Sequence, residues 1–295
     1  SNDSSIIDND VNDSEGPKIE ELMVDTSLFE PATVVLNPNI ESFPLPSTDG
    51  ISLPVTASML KSNINEAIPK LKSSFDGPDR VKSKAPILSF LIVQSKTAEV
   101  ANNFANTTFF EEIVSYAKAT KHPSLAAGFL LLYGTILKFA TKIQNQFLTT
   151  ESINNLQVLS CSPQEKISRK AISVLGQLAT YIVNGSITIE IPSFLIPTIL
   201  KALKSPDEPV KHYALRTVAN LLIYGYDINK STLENALISF DYGQSQYLIE
   251  TYAICVGLFY SKFKSSSNDF VSNLIKIFIS RSSPALQTLA IIIAS

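Results

Sequence analysis

The sequence predicts an all-α fold, a right-handed solenoid of stacked helices preceded by an extended arm, and three observations carry that expectation. The first is a capped amphipathic segment, Ser205–Gly225. Ser205 and Glu208 stand at capping-box spacing, with Pro206 at the first helical position. Val210, Ala214, Val218, Leu221 and Leu222 then recur at helical spacing, and Gly225 supplies a stop signal. The second is repetition. Leu125, Ile167, Val210, Ile249 and Leu286 occupy equivalent positions, at successive offsets of 42, 43, 39 and 37 residues. Their helices open at His122-Pro123, Ser162-Pro163, Ser205-Pro206 and Ser283-Pro284, and Gly134 matches Gly176. A period near forty residues belongs to the two- or three-helix repeats of the HEAT and armadillo type. The third is composition: 45% hydrophobic residues, ten glycines and no tryptophan in 295 residues, which suits packed helices.

Composition also narrows function. A net charge of -3 argues against nucleic acid as the main partner. Cys161 and Cys255 lie in separate repeats and offer neither a disulfide framework nor metal-ligand spacing. The longest apolar run, near Ala126–Leu137, is too short to span a bilayer, and the acidic N-terminus is unlike a signal peptide. The expectation is a cytoplasmic protein with no membrane partner. There is no glycine-rich phosphate loop, HExxH pair or kinase signature. No catalytic, cofactor-binding or metal-binding residue is therefore assigned, no cofactor is expected, and neither enzyme activity nor ATP binding is anticipated. His122 reads as a surface or capping residue, and His212 as a satisfied polar residue rather than a base.

The chain divides into three parts. Residues 1–25 are acidic, with Asp3, Asp8, Asp10, Asp13, Glu15, Glu20 and Glu21 against Lys18, and read as a disordered linker. Residues 26–57 form an extended, proline-rich docking arm. Pro31, Pro38, Pro44 and Pro46 forbid a continuous helix there, while Phe29, Val35, Ile40 and Phe43 are too apolar for a free linker. Residues 58–295 are the solenoid. A helix over Thr56–Ser73, a loop over Ser74–Lys84 and helices over Pro86–Phe104 and Thr108–Thr120 lead into it. Second helices follow at Glu151–Leu159, Pro192–Lys204, Thr232–Phe240 and Phe270–Ser280. The apolar end, Leu289–Ile293, lacks the polar face of a terminal repeat, so the natural chain is expected to continue.

Two surfaces stand out. Lys166, Arg169 and Lys170 recur in register with Lys211, His212 and Arg216. This pattern reads either as a stripe for an acidic peptide or phosphate, or as the solvated side of amphipathic helices. The second surface is the ridge of second helices. Its phase buries Leu195, Ile199, Leu203, Leu233 and Leu274 and turns Lys201, Lys204, Asn235, Ser239, Asn273 and Lys276 outward, toward a protein partner.

Several stretches resemble the armadillo/HEAT region of the Fused/Runkel branch of the Unc-like kinases. They are Pro38-Asn39-Ile40-Glu41, Pro86-Ile87-Leu88-Ser89-Phe90-Leu91, Val100-Ala101-Asn102, Ser168-Arg169-Lys170-Ala171 with Leu175-Gly176-Gln177-Leu178, and Val210-Lys211-His212-Tyr213-Ala214. The similarity spans about residues 26 to 225 and lies in the order of soft motifs behind the arm. The kinase domain itself is missing, so no nucleotide-binding residue carries over. The resemblance implies a non-catalytic scaffold, the regulatory region of a kinase or pseudokinase linked to cilia, flagella or the cytoskeleton. Its partners would be other proteins or an upstream kinase-like domain. The alternative is a free-standing armadillo/HEAT adaptor in intracellular transport or trafficking.

Overall fold

The computed structural model describes residues 47–48, 50–243, 245–263, 271–272 and 275–276. Among them every regular element is helical. In chain order these are α1 (Ala57–Ser62), α2 (Ile64–Asp76), α3 (Val81–Gln94), α4 (Ala98–Ala105), α5 (Thr108–Ala119) and α6 (Pro123–Phe139). A 3-10 turn at Asn145–Phe147 precedes α7 (Thr150–Ser160), α8 (Glu165–Val183), α9 (Leu195–Ala202), α10 (Glu208–Ile223), α11 (Lys230–Ile238) and α12 (Gln246–Phe263). The long helices α3, α6, α8, α10 and α12 pack one on the next as a ladder, and α5, α7 and α9 pack against it. This is an α-solenoid, as the forty-residue period requires.

The ladder is built from apolar positions at helical spacing. Ile167, Ala171, Leu175 and Leu178 of α8, and Val210, Ala214, Val218 and Leu221 of α10, are all buried. Two glycines let α6 be approached closely from both sides. A Cβ at Gly128 would lie 3.1 Å from Leu88 of α3, and one at Gly134 would lie 3.1 Å from Val174 of α8. Ala171 and Ala214 are fully covered. Ala214→Leu is therefore expected to overpack the junction of α8, α10 and α12 and cost about 1–3 kcal/mol. Urea unfolding unchanged within error would refute that packing.

Polar side chains tie successive repeats end to end. Asn102 of α4 accepts from the backbone N–H groups of Thr141 (2.9 Å) and Lys142 (3.1 Å). Asn106 accepts from Gln144 N–H, and Asn145 donates to the Thr188 carbonyl. The Asp79 carboxylate accepts from Thr120 Oγ1 and Lys121 N–H, interactions that hold its pKa below the usual value. Deeper in, Asn220 of α10 donates to Thr180 Oγ1 of α8, which donates in turn to the Gly176 carbonyl. Each tie satisfies backbone groups at helix ends or buried polar atoms that would otherwise be costly.

Several local expectations are corrected. The capping boxes do not form. α10 begins at Glu208 with Pro209 in its first turn, and Ser205 instead accepts the Asp207 N–H at 3.2 Å. Ser162 does the same with the Gln164 N–H before α8. Each Ser-Pro dipeptide makes a turn that sets up the helix two residues later. Gly225 does stop α10. With φ at 73°, it donates to the Leu222 carbonyl while Tyr226 donates to Leu221, the paired bonds of a Schellman end.

The segment Thr56–Ser73 is two helices rather than one, because Asn63 leaves helical geometry between them. The expected loop Ser74–Lys84 shrinks to four residues between α2 and α3. The segment Pro86–Phe104 also splits, with Pro86 inside α3 and a break at residues 95–97.

Candidate functional site

The ridge of second helices rests on α9 and α11. On α9, Leu195 and Ile199 are buried, as is Leu203 just past its end, while Lys201 and Lys204 are exposed. The apolar phase read from the sequence is thus the phase that packs. Asn229 starts α11 by accepting the Thr232 N–H at 2.9 Å. Leu233 and Leu237 are buried, and Asn235 and Ser239 share the exposed side. The Ser239 hydroxyl donates to the Asn235 carbonyl at 2.8 Å, so it faces its own helix. α11 is held to α12 by Tyr252, which donates to the Leu237 carbonyl and stacks on Phe240 at 5.2 Å. Lys276 is exposed. Asn273 and Leu274, like the arm residues Phe29, Val35, Ile40 and Phe43, lie outside the described residues.

The basic stripe is not a surface. Lys170, Lys211 and His212 are buried between the ladder helices. Arg169 reaches from α8 to Asp207 at 2.6 Å and joins two repeats. Lys211 donates to the Asp241 carbonyl at 2.7 Å and lies 5.8 Å from the Phe240 ring centre. His212 meets Thr251 at 3.3 Å, and burial holds its pKa well below the ordinary value, with Arg216 adding to the effect. Burial likewise pushes the Lys170 ammonium down to about 8. Lys166 stays exposed and Arg216 half-buried. The periodic reading failed because α8 and α10 have helices on several sides. Positions a surface helix would turn to water are packed here too.

The structure adds a feature that the sequence reading missed. A groove of about 600 Å³ is lined by Lys118, Gln157, Val158, Leu159, Cys161, Ser162 and Pro163. Val158 is 57% exposed. The signal was present in Leu156-Gln157-Val158-Leu159, because one helix cannot bury three such apolar neighbours on a single face. Among the described residues no cluster of three or more histidine, cysteine or acidic side chains is placed to hold a metal. Nor is any helix among them long and apolar enough to cross a membrane.

No protein-family model matches the chain, and no curated protein matches it. Solved structures do. An engineered protein from the Northeast Structural Genomics Consortium superposes at a TM-score of 0.55 with 13% identity, covering 76% of this chain and 96% of its own. A designed armadillo repeat protein in complex with the peptide (KR)4 superposes at 0.51 with 14% identity, covering 82% and 98%. The fold is therefore an armadillo-like α-solenoid.

Proposed function

We propose that this chain is a non-catalytic protein-interaction scaffold whose ridge of second helices receives an acidic segment of a partner. The carrying observation is Lys201 and Lys204. Both stand exposed, Lys201 on α9 and Lys204 just past its end, beside the buried Leu195, Ile199 and Leu203, and neither has a carboxylate partner among the described residues. Asn235, Ser239, Asn273 and Lys276 extend the proposed surface toward the later repeats. The designed armadillo repeat protein holds a basic peptide. The exposed lysines here favour the opposite charge.

The finer reading, supported by the order of motifs from Pro38 to Ala214, is the regulatory repeat region of a Fused-like kinase or pseudokinase. An upstream kinase-like domain would then be one partner, and a ciliary, flagellar or cytoskeletal setting would follow. The reading frame that encodes Ser1 tests that point: a kinase-like domain upstream supports it, and a free-standing repeat protein removes it.

The ridge is tested with a fluorescent oligo-glutamate peptide at low salt, followed by anisotropy. Lys201→Glu/Lys204→Glu is expected to weaken binding by at least about tenfold, with unfolding by urea unchanged. Undiminished binding after the double reversal would take the ridge out of consideration.

A further inference from the structure

The groove at Val158 lies between the end of α5 and the turn that leads from α7, the first of the second helices, into α8, and none of the residues Lys201 to Lys276 lines it. It is an open surface groove rather than an enclosed cavity. Its floor is apolar, from Val158, Leu159 and Pro163, and Lys118 stands at the rim. Lys118 is exposed and donates to the Asn155 side-chain oxygen at 2.8 Å. Val158, in the last turn of α7, is 57% exposed, an apolar side chain left to water at the edge of this groove.

The same chain carries a segment with the matching chemistry. The arm Thr26–Pro46 holds Leu28, Phe29, Val34, Val35, Leu36, Ile40 and Phe43 among four prolines. Each aromatic has a glutamate close by, Glu30 after Phe29 and Glu41 two before Phe43, to set against Lys118. The arm leads into the residues just before α1, where Val55 is 2% exposed and so anchors the chain to the core.

Reach decides whether arm and groove can meet. α2 packs on α5, and α5 on α7. Two interhelical spacings of about 8–10 Å, plus one helix length of roughly 18 Å, put the groove within about 40 Å of the cap formed by α1 and α2. An arm of this length, at about 3.1 Å per residue in extended proline-rich form, spans roughly 65 Å.

We infer that the arm Thr26–Pro46 docks in cis into the groove of Lys118, Val158 and Cys161, seating an aromatic side chain, Phe29 or Phe43, against Val158. A proline-stiffened segment loses less entropy on docking than a flexible one.

Cys161 is a built-in reporter. It is exposed in the groove, whereas Cys255 is buried and its thiol is held up in pKa by burial, so an alkylating reagent reads Cys161. The rate of iodoacetamide labelling is compared in the parent chain, in Phe29→Ala/Phe43→Ala and in Val158→Asp. If the arm fills the groove about nine-tenths of the time, both variants label roughly ten times faster than the parent. Equal rates in all three overturn the inference. Protection retained in the arm variant but lost in Val158→Asp means that something else fills the groove, which also overturns it. Protection that rises with protein concentration assigns the groove to a second copy's arm and overturns docking in cis.

Discussion

Lys170→Met is expected to stabilise the solenoid at pH 7 by about 1–3 kcal/mol, the relief of burying a charge outweighing the contact that the ammonium makes. Lys170 is 3% exposed in α8, and burial is the main cause of its lowered pKa, with Arg169 adding to it. A fall from 10.5 to about 8 means that the folded state holds the proton against a penalty. At about 1.36 kcal/mol per pH unit, that penalty is of order 3 kcal/mol. Methionine keeps most of the stem's volume and requires no solvation of a charge. The sign follows from linkage. Below pH 8 both folded and unfolded chains carry the charge, and the full cost is present. Between pH 8 and 10.5 only the unfolded chain keeps the proton, and the cost disappears. The gain in urea unfolding should therefore be largest near pH 7 and shrink toward pH 10. A variant no more stable than the parent at pH 7, or one whose gain ignores pH, would contradict this account.

Phe75→Ala has the opposite sign and costs about 3–5 kcal/mol. The Phe75 ring on α2 meets Phe129 edge-on at 5.0 Å, Tyr116 at 5.5 Å and Phe109 at 6.3 Å. Ala67, Leu71 and Phe75 point inward, while Asn65, Glu66, Pro69 and Lys70 face solvent, so α2 packs by one face only. In a stack where each repeat leans on its neighbours, the damage is local. Hydrogen exchange should show α1 and α2 losing protection in the variant while α10 keeps it. Loss spread evenly over the described helices would mean that the chain unfolds as one unit.

The solenoid was legible because it rests on spacing. Leu125, Ile167 and Val210 share a phase and a period, and all three are buried in the ladder. The packed sides of α9 and α11 were legible for the same reason, from Leu195, Ile199 and Leu233. What depended on a residue's neighbours in space was not legible. Ser205 and Glu208 have the spacing of a cap, but Pro206 and the pull of Arg169 on Asp207 favour a turn first. Lys170 on α8 and Lys211 and His212 on α10 look like charged faces when each helix is taken alone, and only the helices on either side show that they are interior. The break at Asn63 rests on one residue's backbone, which no periodicity reveals. The groove at Val158 is formed by two separate helix ends, and the sequence supplied one half of it.

The asparagine and aspartate ties between repeats also bear on how the molecule behaves under load. Asn102 to Thr141, Asn145 to Thr188 and Asp79 to Lys121 each join residues 39 to 43 positions apart. A tension applied at the two ends would thus pass through these ties in series, each loaded in turn rather than all at once. The molecule should lengthen under an optical trap as a staircase, one repeat peeling from the next at modest force, and re-form in the reverse order when slackened. Its elasticity is that of a spring made of links.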